Sequence, residues 1–446
     1  MALLTVTAEK PRQIAVRVLK RYGVESDYLE SVADAELGRA ALSPADRRLA
    51  MELIFGVTRW QETLDWLIDR KTDKRPQKPE VRILLRLGLY QLFWLERIPE
   101  HAAVHETVAD AKHLGFVNQA GFINALLRNY VREREETQVR LTELKTTQPA
   151  VGYSQPQWLC NRWKGRWGHE KLLQLLDWNN TPPATYARLN TLKTDADKLT
   201  AQWKEEGVEF VPRQWDWVGN GLVFELQGHP PLADLPSLEQ GLFYVQDPST
   251  LLAVVVLDPQ PGQMVLDTCA APGGKTTLMA QLMRNQGQIV AQDVHTVRRD
   301  LVRENCLRLG VTNVHLTHPS VSEPGQAGYD RILIDAPCSN TGVMRRRVDV
   351  RWRLQPEEIE RLRQTQLELL HRAAAQLKPR GTLVYSTCSL EPEENEEVTR
   401  EFVSRHPGFA IDYERNLLPF VEGVDGAYVA RLRSEDGSKI TRRAGD

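Results

Sequence analysis

The 446-residue sequence is poor in the features that mark several whole classes of protein. It has five cysteines, Cys160, Cys269, Cys306, Cys338 and Cys388, an odd number with no C-x-x-C pair. That pattern argues against a disulfide framework and against a zinc site, and points to a reducing, cytoplasmic setting. No apolar run reaches the roughly 20 residues that a membrane-spanning helix needs. The opening MALLTVTAEK lacks the basic segment followed by a long apolar one that directs secretion. Neither sign of charge is in excess: 57 Lys and Arg stand against 59 Asp and Glu, a formal net charge of −2. The balance is uneven along the chain, with an acidic run at 391–397 and a basic one at 345–353. Nucleic-acid binding by local patches is allowed but not announced by the total. What remains, 41% hydrophobic and 26% charged residues, is the composition of a soluble globular protein. At this length about three domains are expected.

Two phosphate-binding signatures are also missing. Residues 264–277 read MVLDTCAAPGGKTT, a short apolar strand, a glycine loop and a helix start. A P-loop requires a glycine five residues before its Gly-Lys pair, and that position holds Cys269. There is no G-x-G-x-x-G for a dinucleotide either. A strand, small-residue loop and helix at this place hold a nucleotide-like ligand. The short loop fits a nucleoside-like cofactor without phosphates better than one with them.

Residues 9 to about 140 show only helical spacing. Pro11 and Ser43-Pro44 mark helix starts, and Val81, Leu84, Leu85, Leu89, Leu92 and Phe93 form an apolar stripe. A helical bundle serving as scaffold or docking domain is the plain reading. Its exposed arginines, such as Arg82, Arg86, Arg128, Arg132 and Arg134, are as a rule solvated surface. The charged stretch 132–149 reads as a helix tail running into a linker. A tryptophan-rich helical piece with Trp158, Trp163 and Trp167 follows. Between 184 and 245, strands at Thr185–Leu189, Val208–Val211, Leu222–Leu226 and Leu242–Val245 surround a helix at Asp195–Glu206 that Gly207 ends. This is a small α+β module, a kind that often binds RNA. From 248 on, strands at 264–268, 289–293, 314–317, 331–335 and 382–387 alternate with helical runs, which predicts a doubly wound, mostly parallel Rossmann-like α/β sheet. The expected division is therefore an all-α domain over 1–140, linker helices and an α+β module over 150–247, and an α/β domain over 248–435.

Ligands in such sheets sit at the carboxyl ends of the strands. Asp293 ends the second strand, where an acidic side chain accepts hydrogen bonds from ribose hydroxyls or caps the next helix. Asp335 and Cys338 follow the fourth strand in DRILIDAPCSNTG, and Cys388 ends the fifth in YSTCSLEPEEN. A lone cysteine is usually inert core, but two on the ligand edge of one sheet suit nucleophilic chemistry. Arg345, Arg346, Arg347, Arg351 and Arg353 crowd the stretch after Cys338; arginines suit phosphates, and Trp352 can stack on a base.

CAAPGGKT at 269–276, DAPCSNTG at 335–342 and STCSLEPEEN at 386–395 together resemble the RNA cytosine-5 methyltransferases that use S-adenosyl-L-methionine. LIFGVTRWQETLDWLI at 53–68 and INALLRN at 123–129 look like a NusB-type RNA-binding domain. The pairing resembles the bacterial 16S rRNA methyltransferases of the Sun or Fmu type, over nearly the whole chain. The resemblance implies that Cys388 is the nucleophile at C6 of cytosine, that Cys338 assists release, that Asp335 hydrogen-bonds the base edge and that Lys275 supports the site. It implies a cofactor lying over Cys269, Ala270, Ala271, Pro272, Gly273, Gly274 and Lys275, with Asp293 and Asp335 as further contacts. Arg345, Arg346, Arg347, Arg351 and Trp352 would meet RNA. The implied partner is 16S rRNA, with no metal and no membrane, and a monomer is expected. In many relatives an acidic residue after the third strand helps hold adenine; here VHLTHPSVS at 314–322 has His318 instead. The same chemistry on tRNA, a non-catalytic antitermination factor and a P-loop ATPase are the competing readings.

Overall fold

Helix starts in the N-terminal region sit where local chemistry puts them. The structure, a computed structural model, describes residues 10–24, 28–319 and 328–434. Pro11, Pro44 and Pro79 open the helices Pro11–Tyr22, Pro44–Arg59 and Pro79–Trp94, at the position where a missing N–H costs nothing. Ser43 caps the second of these by accepting the Asp46 N–H at 3.1 Å. Val81, Leu84, Leu85, Leu89 and Leu92 are all buried, the core stripe of the third. Gly56 permits close packing there, since a Cβ would fall 2.2 Å from the Tyr90 ring. The charged stretch expected to lead into a linker is itself a helix, Arg134–Thr147, with Arg140 and Glu136 paired one turn apart at 2.8 Å.

Two compact units emerge. The helical one runs to Thr181 and takes in Met344–Arg353; the other holds Pro182–Val343 and the described chain from Leu354 on. The helices expected as linker thus belong to the helical unit up to 181, and so does a ten-residue strap that leaves the second unit after Val343. Arg351 anchors the strap. It is 0% exposed, and its guanidinium donates to the carbonyl oxygens of Arg59, Ser154 and Asn179, each at 3.1 Å, and to Asn180 Oδ1 at 2.9 Å. Asp349 accepts the Leu29 N–H at 3.1 Å, and Val348 joins the helical core.

The second unit opens with a four-stranded antiparallel sheet. Its strands are β1 (Thr185–Leu189), β2 (Glu209–Trp215), β3 (Val218–Gly228) and β4 (Phe243–Val245), in the order β2-β3-β1-β4. The single helix expected here is Ala196–Glu205, capped by Asp195, which accepts the Lys198 N–H at 2.9 Å. Its Trp203 is buried among Phe210, Phe224 and Phe243, which makes the core of the module.

The larger sheet has seven strands: β5 (Met264–Asp267), β6 (Gln288–Gln292), β7 (Val314–Thr317), β8 (Tyr329–Asp335), β9 (Leu377–Thr387), β10 (Phe409–Leu417) and β11 (Ala427–Ser434). The order is β10-β11-β9-β8-β5-β6-β7. The five expected strands are there and mutually parallel. The sheet is nonetheless mixed, because β11 pairs antiparallel with β9 and β10 with β11. The order reverses beside β5, whose neighbours are β6 and β8, so the ligand crevice is expected at the carboxyl end of β5.

Candidate active site

Parallel register aligns the ends of the central strands. Asp267 stands opposite Leu333 and Ala291, and Asp335 opposite Ser386, so the residues that follow β5, β6, β8 and β9 share one edge. Asp267 is fully buried, and Thr276 Oγ1 donates to its Oδ2 at 2.7 Å. Its Oδ1 is buried with no hydrogen-bond partner in the protein. Burial pushes this carboxyl up to about 7, against the Thr276 hydrogen bond and with Asp335 adding to the rise. The loop that follows turns tightly, with Gly273 N–H on Ala270 O at 2.8 Å. Gly273 has φ 104°, and an added Cβ would lie 3.2 Å from Val302. The helix Gly274–Leu282 starts from it.

Arg188 of β1 was not foreseen as part of this site. It is 1% exposed, lies over the Tyr244 ring at 5.2 Å, and donates to Gly274 O at 2.8 Å and to Thr277 Oγ1 at 3.0 Å. The small module thereby fixes the helix start behind the glycine loop. The available signal was an arginine inside the strand TYARL, where a charge is buried only with partners, here on both terminal nitrogens of its guanidinium.

On the other side of β5, Lys275 Nζ lies 2.6 Å from Asp335 Oδ2, and Ser386 Oγ donates to Asp335 Oδ1 at 3.1 Å. Burial disfavours the Lys275 charge, but the Asp335 carboxylate outweighs it and holds the ammonium above its ordinary value. The lysine is thus held by a carboxylate. Cys338 and Cys388 bring their sulfurs to 3.3 Å. The Cys388 thiol also donates to Asn340 Oδ1 at 3.2 Å, while Asn340 Nδ2 donates to Cys338 O at 2.8 Å. Asn340 has φ 60°, a left-handed conformation uncommon for a non-glycine residue. The Cys388 neighbour, with burial, holds the Cys338 thiol well above its ordinary range, so it stays protonated at neutral pH. Burial also pushes Cys160 and Cys269 up to about 12 and Cys306 to about 11, which leaves them inert.

Gly342 lets the two cysteine loops meet. A Cβ there would fall 2.5 Å from Gly426 O and 2.8 Å from Cys388 O. Its N–H donates to Cys388 O at 2.9 Å. Behind the sulfurs lies a buried polar cluster of Ser339, Thr341, Ser389, Glu394 and Asn395. Burial raises the Glu394 carboxyl, offset in part by hydrogen bonds from Ser339, Ser389 and Gln366.

The other expected residues fall as follows. Asp293 lies one residue past β6, buried, and accepts the His295 N–H at 3.0 Å, with Arg298 at 3.5 Å. The helix after it starts at Thr296 with His295 as its N-cap residue, so Asp293 is not that helix's cap. His318 lies just past β7, half-buried; the last three residues of the quoted 314–322 stretch lie outside the described ones. Two expected RNA contacts are corrected. Arg351 is committed to carbonyl oxygens, and Arg345 is 3% exposed with its guanidinium 3.9 Å from the centre of the Trp178 ring. Trp352 is half-buried, and its indole donates to Thr58 O at 2.7 Å within the helical unit. Arg346 and Arg347 are exposed.

A sheet of this order, with its loop after β5, is the Rossmann-like fold of methyltransferases. The solved structure of PH0851 matches 96% of this chain and 99% of its own at a TM-score of 0.75 and 24% identity. A methyltransferase homologue from Pyrococcus horikoshii matches 64% and 97%, at a TM-score of 0.56 and 32% identity. Sequence narrows the class. Residues 254–433 match the model of the 16S rRNA methyltransferase RsmB/F, 9–132 that of the NusB family, and 155–225 that of the RsmF/B-like ferredoxin-like domain. The probable ribosomal RNA small subunit methyltransferase B of Bacillus subtilis is 34% identical over 95% of this chain and 98% of its own length. That of Synechocystis is 37% identical over 95% and 99%. The chain belongs to the RsmB/F family of rRNA small subunit methyltransferases.

Proposed function

We propose that the protein transfers a methyl group from S-adenosyl-L-methionine to C5 of a cytidine in 16S rRNA, through a covalent bond between Cys388 and C6. The observation that carries this is the pair of thiols 3.3 Å apart at the ends of β8 and β9, beside the Lys275–Asp335 pair. The residues at the ends of β5 and β6 fit the cofactor. The unmet Oδ1 of Asp267, the small loop Cys269–Lys275 and the Asp293 carboxylate suit a nucleoside with hydrogen-bond donors and no phosphate. When bound, S-adenosyl-L-methionine supplies an electrophilic methyl group.

The chain's own residues do the rest. Cys388, once its thiol proton has been lost to a base, adds through sulfur to C6 of an unstacked cytosine, and the C5–C6 π electrons move so that C5 becomes nucleophilic. Asp335, held by Lys275 and Ser386, hydrogen-bonds the base edge near N3 and fixes its orientation. After C5 has taken the methyl group, it loses its proton to a base. The C6–sulfur bond then breaks, with its electron pair returning to Cys388. Cys338, neutral beside it, assists this release. Arg346 and Arg347 meet phosphates of the substrate. Bisulfite sequencing of total RNA from a strain lacking the gene, against its parent, tests the substrate. One cytidine in 16S rRNA is expected to lose protection. Loss confined to tRNA would move the substrate, and no loss anywhere would remove the proposal.

A further inference from the structure

In the polar cluster behind the two sulfurs, Glu394 takes hydrogen bonds from both cysteine loops, beside the direct ties that Thr341 makes to Ser389 Oγ at 3.3 Å and to the Leu390 N–H at 2.8 Å. Glu394 is 0% exposed, in the short helical turn Pro392–Glu394. Its Oε1 accepts the Ser339 N–H at 2.8 Å and the Gln366 amide at 3.1 Å. Its Oε2 accepts both the Ser339 and the Ser389 hydroxyls. Ser339 directly follows Cys338, and Ser389 directly follows Cys388. The hydroxyls are themselves 3.0 Å apart. The backbone turn that carries the carboxylate is held in turn, because the Tyr385 hydroxyl donates to the Glu394 carbonyl oxygen at 2.6 Å, and Asn395 accepts from Thr387 Oγ1 at 2.6 Å and donates to Ser389 O at 2.9 Å. A buried carboxylate is costly unless its oxygens are satisfied, and here the donors that satisfy it come from both loops at once.

We infer that Glu394 is a positioning residue that clamps the Cys338 and Cys388 loops together and so sets the distance between the two sulfurs. It touches neither substrate nor cofactor and acts through Ser339 and Ser389. The clamp has a chemical use under the proposed reaction, on which this role rests. Adduct formation needs Cys388 placed against C6, and release needs Cys338 beside it. A shift of about 1 Å in either is enough to cost about 100-fold in rate.

The test separates the clamp from the reaction. In the full-length protein, diamide takes two electrons and two protons from neighbouring thiols and leaves a disulfide, so the rate of Cys338–Cys388 cross-linking, read by peptide mass, reports their spacing without RNA or cofactor. Glu394→Ala is expected to slow cross-linking by at least about tenfold and methyl transfer by about 100-fold. Its affinity for S-adenosyl-L-methionine, held at the end of β5, is expected to stay within about twofold of wild type. Glu394→Gln should recover most of both rates, because its amide N–H groups can donate to the two serine hydroxyls while its oxygen keeps the Ser339 N–H. Should Glu394→Ala not fold, Ser389→Ala, which removes one of the two hydroxyls on Glu394 together with its contacts to Ser339 and Thr341, is expected to show the same pattern at smaller size. Cross-linking at the wild-type rate in the folded variants would overturn the clamp, as would joint loss of cofactor affinity, which marks a general fold defect. Wild-type protein that makes no 5-methylcytidine but cross-links faster than its variants would instead overturn the reaction and leave the clamp standing.

Discussion

Cys388 and Cys338 are neighbours with different predicted phenotypes. Cys388→Ala is expected to abolish methylation and leave cofactor affinity unchanged. Cys338→Ala keeps the proposed nucleophile but lacks the proposed release group, so it is expected to accumulate a covalent protein–RNA adduct, seen as a slowly migrating band on a denaturing gel. Absence of that band, with Cys388 intact, would remove the release role. A third residue-scale prediction concerns Asp267. Its folded value of about 7 lies above that of an unfolded aspartate, so folding favours the protonated form. The sign follows: its contribution to stability is present at acid pH and is lost as pH rises through about 7. Without cofactor, the melting temperature of Asp267→Asn relative to wild type should therefore rise between pH 5 and pH 8. A difference that does not change with pH would contradict the buried, unmet carboxylate.

The strap Met344–Arg353 is the element whose meaning changed most between sequence and structure. As a string it is a basic run with a tryptophan, the usual look of an RNA contact. Nothing local reveals that the acceptors for Arg351 come from residues 59, 154, 179 and 180. Arg351→Met would leave the carbonyl oxygens of Ser154 and Asn179, both in buried bonds, without this donor, at a cost of about 3 kcal/mol. Denaturant unfolding should show it, and an unchanged midpoint would count against the anchor. Elements with strong local signals were legible. Ser43 and Asp195 cap the helices they were expected to start, and β7 has its expected ends. The glycine loop, Asp335 and both cysteines stand where alternation of strands and helices placed them, at one sheet edge. β10 and β11 were not legible. Phe409–Leu417 carries Asp412, Glu414 and Arg415 through its length, and β11 reaches its place only by pairing between β9 and β10. Arg188 and Glu394 were hidden for the same reason, since their partners are far away in the chain or have meaning only once the two loops meet.

At the scale of the molecule, a NusB-family helical unit, a ferredoxin-like module and a methyltransferase sheet share one chain. Among the described residues no helix is long and apolar enough to cross a membrane. With a net charge of only −2, affinity for RNA depends on local cations rather than on the total. Each phosphate contact on single-stranded RNA contributes about 0.7 to the slope of log affinity against log salt. Replacing Arg346 and Arg347 together by glutamine is expected to reduce that slope by about 1.4 if each meets one phosphate. An unchanged slope would take Arg346 and Arg347 out of the RNA interface.

The chemistry itself is tested most directly by incubating the purified full-length protein with unmodified 16S rRNA and methyl-labelled S-adenosyl-L-methionine, then digesting the RNA to nucleosides. The account predicts that all label is in 5-methylcytidine with the wild-type protein and that none is transferred by Cys388→Ala. Label in any other nucleoside, or 5-methylcytidine made by Cys388→Ala at the wild-type rate, would contradict it.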